Sequence, residues 1–203
     1  MSPRNAPGPL GVLAVLALAL APSCAGPGHA PAAAPEPNPN PEQAQEPELA
    51  AIELTLEELY RAFCFDAGGP ADWDAIRALS IEGACFVSPI PPGGRARAAD
   101  TETFLADFAR WIETSPEGES GLHERIVSTR VDAFGNVAHA WVTFEGFVPG
   151  ERAPRTRGLD SIQLARDRGR WKVASFTTQY ESAQAPLPTR FLPRKAARAS
   201  GAQ

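Results

Sequence analysis

Two pairs of alternating segments in the second half of the chain most constrain its fold. Apolar and polar residues alternate over residues 122–134 and 137–148, on either side of Gly135-Asn136. A two-residue turn of this kind between alternating segments is typical of a β-hairpin. The pattern recurs in residues 156–166 and 170–180, around Arg168-Gly169. The sequence therefore predicts four antiparallel strands arranged as two long hairpins.

The residues before Gly121 have helical spacing instead. Thr55 and the acid three residues later form a capping box, which predicts a helix that continues to the stop at Gly68. A second, shorter helix is predicted after Asp72, and a third from about Thr101 to Pro116. Helices gathered early and antiparallel strands gathered late indicate an α+β domain, in which three N-terminal helices cover one face of a curved sheet.

The N-terminal residues 1–25 have the pattern of an export signal. Arg4 precedes the apolar run 10–21, and small residues follow that run. The run is shorter than the roughly 20 residues of a membrane-spanning helix. Cys24 stands where bacterial lipoproteins place the acylated cysteine, and Leu20 to Cys24 resembles a lipobox. We therefore expect lipidation at Cys24 and a location in the bacterial cell envelope; cleavage after Ala25 and simple secretion is the alternative.

Composition changes on both sides of the predicted domain, which spans residues 50–185. Residues 26–49 are rich in proline and contain no aromatic residue, which predicts a disordered linker. Residues 186–203 contain basic residues and no acid, which predicts a disordered basic tail. The formal net charge of the chain is −5, which argues against a nucleic-acid partner.

Cys64 and Cys85 remain once Cys24 is acylated or removed. In an exported protein such a pair forms a disulfide in many cases. Each cysteine also lies among alanine and aromatic residues, where a free thiol is an ordinary small apolar side chain. The sequence leaves both alternatives open.

Three segments carry a resemblance to a known family. Residues 138–142 (AHAWV), 157–164 (RGLDSIQL) and 169–175 (GRWKVAS), with the order of helices and hairpins, resemble the nuclear transport factor 2-like superfamily, in particular its SnoaL-like domains. The resemblance implies a cone-shaped, cystatin-like roll with a pocket between sheet and helices, no cofactor, and in many members a homodimer. Members include isomerases, dehydratases, cyclases and non-catalytic binding proteins, so the resemblance predicts a fold more than a reaction.

The hairpin register suggests one catalytic candidate. A two-residue turn at Gly135-Asn136 places Asp132 opposite His139, and further along the hairpin it places Ile126 opposite Glu145. His139 with Asp132 is either a base and its orienting acid or a solvated ion pair near the hairpin tip. His123 falls at the far end of the same hairpin, so we expect no metal site.

The resemblance also implies a ligand-binding pocket. Steroid-isomerase-like members place an oxyanion-binding tyrosine on the first helix, which matches Tyr60. They place the proton-shuttling acid before the proline that ends the first strand; here that position is Ser88, and serine does not abstract a proton from carbon unaided. Polar strand residues either line the pocket or face solvent. The predicted pocket residues are Tyr60, Phe86, Ser88, Trp111, Trp141, Glu145 and Gln163.

These observations lead to two functional hypotheses. In the first, the chain is an exported, lipid-anchored SnoaL-like domain that binds a small apolar molecule or dimerises, without catalysis. It would meet the membrane through its lipid anchor only. In the second, it is an isomerase or dehydratase that uses His139 with Asp132. The first hypothesis is favoured because the acid expected before Pro89 is missing.

Overall fold

The computed structural model describes residues 41–90 and 93–193 of the 203-residue chain. The predicted export signal, Cys24 and the linker up to residue 40 lie outside the described residues, as do residues 194–203 of the predicted tail. Within the described residues, no helix combines the length and apolar character that crossing a membrane requires.

The domain consists of one curved, unclosed seven-stranded sheet with helices on its inner face, which confirms the predicted α+β class. The strand order is β1-β4-β5-β6-β7-β2-β3, and only β2 and β7 pair in parallel. The helices are α1 (Pro41–Phe63), α2 (Trp73–Ala78), α3 (Thr101–Thr114) and α4 (Pro116–Ser120). The strands are β1 (Phe65–Asp66), β2 (Ser80–Val87), β3 (Ala98–Asp100), β4 (Gly121–Phe134), β5 (Val137–Phe147), β6 (Thr156–Asp167) and β7 (Arg170–Tyr180), and a 3-10 turn follows at Thr189–Phe191.

Aromatic side chains fill the space between the helices and one end of the sheet. Phe63 of α1 lies against Phe104 and Phe108 of α3 and against Phe176 of β7, with ring centroids 5.6 to 6.1 Å apart. Phe86 of β2 stacks on Phe104 at 4.5 Å. Burial of these rings holds α1 and α3 on the sheet, because each large aromatic removes much apolar surface from water.

Helix α1 begins well before the predicted capping box, which corrects the linker boundary. Residues 41–49 were predicted as linker but are helical, and Thr55 lies inside the helix, where its hydroxyl donates to the Ala51 carbonyl at 2.9 Å. Glu48 explains the extension: its carboxylate accepts from Trp171 Nε1 at 3.0 Å and from Arg166 Nη1 at 2.8 Å. These contacts with the sheet stabilise two helical turns that the local proline content disfavours.

The C-terminal strap, residues 181–193, corrects the boundary of the predicted disordered tail. Residues 186–193 lie on the outer face of the sheet, and Phe191 is only 5% exposed. The Phe191 ring lies 5.1 Å from the Trp141 ring, and the Thr143 hydroxyl donates to the Phe191 carbonyl at 2.7 Å. The Phe191 side chain, the hydrogen bond to its carbonyl and a hydrogen bond from the Leu187 amide to Glu181 at 3.0 Å therefore hold this segment in place, despite the basic residues around it.

The β4–β5 register agrees with the prediction near the turn and departs from it further along. Asp132 lies opposite His139, as predicted. A bulge between Ile126 and Ser128 then shifts the pairing by one residue, so that Ile126 lies opposite Phe144 and Arg125, not Ile126, lies opposite Glu145. Because side chains alternate between the faces of a sheet, this shift moves the residues before the bulge to the other face.

Cys64 and Cys85 are both free, so the predicted alternative of a disulfide is wrong. The Cys64 thiol donates to the Tyr60 carbonyl at 3.2 Å and accepts from the Glu124 amide at 3.2 Å. Cys85 lies on β2, opposite Asp100 of β3. Cys64 thus fixes the end of α1 against β4 by hydrogen bonds instead of a covalent link.

Candidate functional site

Four polar side chains lie together on the inner side of the sheet, at the end away from the β4–β5 turn. This interior cluster consists of Tyr60 of α1, Glu124 of β4, Asp160 of β6 and Tyr180 of β7. Tyr60 belongs to the apolar stripe of α1, and Asp160 alternates with the buried Ile162 along β6. Glu124 faces inward because of the β4 bulge. The helical spacing in α1 and the alternation along the strands, which is shifted at the β4 bulge, therefore point all four side chains to the same region.

Tyr60 and Asp160 form the centre of the cluster. The Tyr60 hydroxyl donates a short hydrogen bond to Oδ2 of Asp160, and both residues are 2% exposed. The other carboxylate oxygen, Oδ1, is buried and has no hydrogen-bond partner within the described part of the chain. A buried acceptor without a partner costs about 1–3 kcal/mol, so such atoms are rare in proteins. Thr178 of β7 lies opposite Asp160, and its hydroxyl is the one other group that acts on this carboxyl in the described structure, but it makes no hydrogen bond of regular geometry to Oδ1.

The two acids of the cluster hold their protons unusually tightly. Burial raises the pKa of Asp160 to about 7, and the hydroxyls of Tyr60 and Thr178 oppose that rise. Burial and the charge of Asp160 raise the pKa of Glu124 to about 8. Charged carboxylates are disfavoured away from water, and two of them disfavour each other. Near neutral pH the cluster therefore holds protons on acids that would be ionised in water.

Tyr180 is the most exposed member of the cluster. The residue is 38% exposed, and its ring lies 6.0 Å from the Phe144 ring. Burial and the charges of Glu124 and Asp160 raise the pKa of Tyr180, so its hydroxyl stays protonated. The same side chain lines an open surface cavity of about 360 Å³, together with Glu145, residues 154–157 and Glu181. Glu124 lines a second cavity of about 400 Å³ with His123, Arg125 and residues 147–152.

The architecture matches that of solved structures with little sequence similarity. A nuclear transport factor 2-like protein of unknown function from Pseudomonas putida matches 76% of this chain and 98% of its own, with a TM-score of 0.53 and 13% identity. A Mycobacterium tuberculosis protein of unknown function matches 72% of this chain and 80% of its own, with a TM-score of 0.54 and 11% identity. A Nostoc punctiforme protein with a cystatin-like fold matches 68% and 94%, with a TM-score of 0.51 and 11% identity. The chain has the nuclear transport factor 2-like fold.

That resemblance, stated first from three sequence segments, is confirmed at the level of the fold. No protein-family model matches the sequence, and no curated protein sequence matches it significantly. The nuclear transport factor 2-like fold supports many unrelated activities, so the function must be argued from the site itself.

The predicted catalytic pair lies on the outer face of the nuclear transport factor 2-like sheet, away from the helices. His139 Nε2 lies 3.1 Å from the Ser161 hydroxyl, and its ring is edge-on to Trp141 at 4.9 Å. Asp132 is opposite His139 in the register but is exposed, and no hydrogen bond joins the two side chains in the described structure. His139 and Asp132 therefore do not form a base with its orienting acid on the inner side of the sheet.

The structure does not bring the seven predicted pocket residues together. Tyr60 and Phe86 are buried in the interior, and Trp111 of α3 lies edge-on to Phe65 at 6.4 Å. Ser88 is exposed beyond the end of β2. The remaining three, Trp141, Glu145 and Gln163, are on the outer face, where Glu145 pairs with Arg125 at 2.7 Å. Period-two alternation separates them from the inner residues, because the helices of this fold cover one face only.

Sequence reasoning missed Glu124, Asp160 and Tyr180. One signal for Asp160 was available, since it occupies an inward position between Gly158 and Ile162 on a strand whose other inward residues are small or apolar. Nothing in the sequence indicates the bulge that turns Glu124 inward. Among the described residues there is no group of three histidine, cysteine or acidic side chains placed to hold a metal ion, and His123 instead contacts Asp66 at 3.0 Å.

Proposed function

We propose that this protein is an exported domain, anchored to a cell-envelope membrane through acylated Cys24, that binds a small amphipathic molecule at the interior cluster without transforming it. The observation that carries the binding proposal is Oδ1 of Asp160, a buried acceptor without a partner. The export signal and the lipobox-like stretch support the location.

The chemistry of the cluster selects the ligand class. A hydroxyl or amine on the ligand would donate to Oδ1 of Asp160, the one buried side-chain oxygen that lacks a partner among the described residues. Tyr60 already uses its hydroxyl on Oδ2, and the neighbouring Phe144 and Tyr180 rings offer apolar contact. A ligand with an apolar body and one hydrogen-bond donor fits these groups, which is the usual composition of a small-molecule site.

We infer that a ligand would reach the cluster past Tyr180. The surface cavity of about 360 Å³ that Tyr180 lines is within the size range of small-ligand sites. Tyr180 lines this cavity, and its hydroxyl also lies close enough to Glu124 and Asp160 for their charges to raise its pKa. We propose that the ligand occupies the cavity and that rotation of the Tyr180 ring opens the path to Oδ1.

Proton transfer is the second candidate function, and it too belongs to the interior cluster. The raised pKa values of Asp160 and Glu124, about 7 and about 8, lie where a general acid or base works best at neutral pH. An isomerase or dehydratase that relies on His139 with Asp132 is less well supported, since that pair is on the outer face. Binding is preferred because it requires only the unpaired acceptor.

A matched pair of probes tests the binding proposal. We expect 2-phenylethanol to bind the purified mature chain several-fold more tightly than ethylbenzene, because one net hydrogen bond is worth about 1 kcal/mol. Asp160→Asn should reduce this preference, since its amide can turn a donor toward the ligand. Asp132→Asn, an exposed acid of the outer face, is the control. Equal affinity for both probes in calorimetry would refute the proposed site.

The anchor has a separate test. Metabolic labelling with palmitate, followed by mass measurement of the mature N-terminus, should show acyl chains on Cys24. A Cys24→Ala variant should lose both the label and the membrane association. A mature chain that begins after Ala25 without acyl groups would show that the protein is secreted without an anchor.

A further inference from the structure

The turn between β4 and β5 exposes two apolar side chains at one end of the sheet. Phe134 is 87% exposed and Val137 is 58% exposed, and the two lie opposite each other across Gly135-Asn136. A single exposed apolar residue is ordinary, but a large aromatic ring fully in water beside a second apolar residue is a candidate contact surface. We call these two residues the apolar tip.

The neighbouring β6–β7 turn places cations on one side of the apolar tip. The amide of Arg166 donates to the Asn136 carbonyl at 2.9 Å, which fixes the two turns side by side. Arg168 and Arg170 are exposed and make no ion pair within the described residues. Arg166 and Lys172 are neutralised by Glu48 and Asp167, at 2.8 and 3.5 Å.

Helix α1 enters the domain at this same end. Glu48 contacts Arg166 and Trp171, whereas Tyr60 contacts Asp160 and Cys64 contacts Glu124 further along the strands. The helix axis thus runs from the apolar tip toward the interior cluster. Pro41, the first residue of α1, lies about 10 Å beyond Glu48 at the helical rise of 1.5 Å per residue. The chain that leads back to Cys24 therefore meets the domain beside the tip.

We propose that Phe134, Val137, Arg168 and Arg170 form a membrane-docking edge that binds the surface of a bilayer containing anionic phospholipid. Phe134 and Val137 would enter the interfacial region, and the two guanidinium groups would meet lipid phosphates. This inference rests on the proposed lipid anchor for its orientation. The 17 residues from Cys24 to Pro41 span at most about 60 Å. Such a tether keeps the edge at a high effective concentration near the bilayer, so a weak contact is sufficient.

Exposed acids near the apolar tip do not outnumber the arginines that lack an ion pair in the described part of the chain. Asp132 is exposed two residues before Phe134, and it is the one acid of the β4–β5 turn. Arg130 of β4 is also exposed without an ion pair in the described residues, so three such arginines are near two exposed acids, Asp132 and Glu46 of α1. With the edge on the membrane, Tyr180 and Glu124 at the other end of α1 would face away from the bilayer. Ligand exchange would then take place on the aqueous side.

Vesicle binding tests the edge directly. A Phe134→Trp variant of the mature chain, unacylated through Cys24→Ala, should show quenching of the new tryptophan by brominated lipid in phosphatidylglycerol-containing vesicles. Phosphatidylcholine vesicles should bind it more weakly. We expect Phe134→Ser with Val137→Ser to reduce vesicle affinity about tenfold. Leu54→Ser, which replaces a 54% exposed residue of α1, should leave the affinity unchanged and is the matched control.

A comparison of the acylated and the unacylated protein distinguishes the docking edge from the lipid anchor. If acylated Phe134→Trp in vesicles shows no more quenching than in solution, the docking edge is wrong while the anchor stands. If Cys24 carries no acyl chain but the unacylated protein still binds through Phe134, the anchor is wrong while the edge stands. Because Arg168→Glu with Arg170→Glu removes charge without altering the apolar tip, unchanged vesicle binding in that variant overturns the role of the arginines. If Phe134→Ser dissociates a dimer and leaves vesicle binding unchanged, the partner of this edge is a second copy of the chain.

Discussion

Tyr60 and Asp160, which are 100 residues apart in the sequence, share a buried hydrogen bond that joins the first helix to the centre of the sheet. The bond satisfies the tyrosine hydroxyl and one carboxylate oxygen, and it leaves the second oxygen unpaired. Asp160 therefore carries a desolvation cost that an apolar residue of similar size would avoid. Retention of a costly buried group is understandable if the group serves binding.

Replacing Asp160 by asparagine should increase stability at alkaline pH. Because the folded-state pKa of Asp160 is raised to about 7, the folded protein keeps a proton that the unfolded chain has lost, and the free energy of unfolding falls as pH rises from about 4 to about 7. The loss is up to about 4 kcal/mol and is constant above that range. Asp160→Asn should remove most of this loss in urea denaturation at pH 4, 6 and 8. Asp132→Asn should not, and equal pH dependence in both variants would contradict the assignment.

Replacing Tyr60 by phenylalanine should have the opposite effect. The hydroxyl favours the ionised carboxyl of Asp160, so its removal raises the pKa of Asp160 further. We expect a loss of about 1–3 kcal/mol in the free energy of unfolding, greater at pH 8 than at pH 4. Tyr180→Phe is the comparison variant, since the Tyr180 hydroxyl makes no hydrogen bond to Asp160 in the described structure. A loss that is independent of pH would indicate a packing role alone.

Glu48→Ala should destabilise the domain although Glu48 lies in a segment with the composition of a linker. Its carboxylate accepts from Arg166 and Trp171, and removal of both hydrogen bonds should cost about 1–2 kcal/mol. Hydrogen exchange should show that the first turns of α1 open more readily in the variant. Glu53→Ala, an exposed acid on the same helix, should have no such effect. Identical exchange in both variants would mean that the helix extension does not depend on Glu48.

Phe191→Ala should release the C-terminal strap from the sheet. The Phe191 side chain is buried against Trp141, so its truncation should cost about 3 kcal/mol and shift tryptophan emission to longer wavelength. Release would also uncover the outer face, and we expect concentration-dependent self-association in sedimentation velocity. Gln184→Ala, at an exposed position of the strap, is the control. An unchanged emission spectrum would show that the strap is held by other contacts.

Local patterns predicted the elements that depend on local physics. The turn at Gly135-Asn136 placed Asp132 opposite His139, and the alternation on β6 and β7 was visible in the sequence. Boundaries that depend on distant partners could not be predicted in this way. Residues 41–49 are helical because Glu48 meets the far sheet strands, and residues 186–193 are ordered because Phe191 finds Trp141.

The site was predicted only in part for a related reason. Tyr60 was predicted as a pocket residue and is buried in the interior, but its partner Asp160 is 100 residues away and has no motif around it. Trp141, Glu145 and Gln163 were assigned to the pocket, although alternation alone cannot say which face of a sheet the helices cover. The inward orientation of Glu124 depends on one irregular position in β4.

That irregular position decides which face of the sheet carries the second interior acid. Val127 is the extra residue of β4, because Ile126 lies opposite Phe144 and Ser128 lies opposite Thr143. Deletion of Val127 would keep these pairs and leave Glu124 opposite Gly146 on the inner face, whereas a regular strand that retained Val127 would turn Glu124 toward solvent. The interior thus owes one of its two carboxyl groups to a single unpaired residue of the backbone ladder.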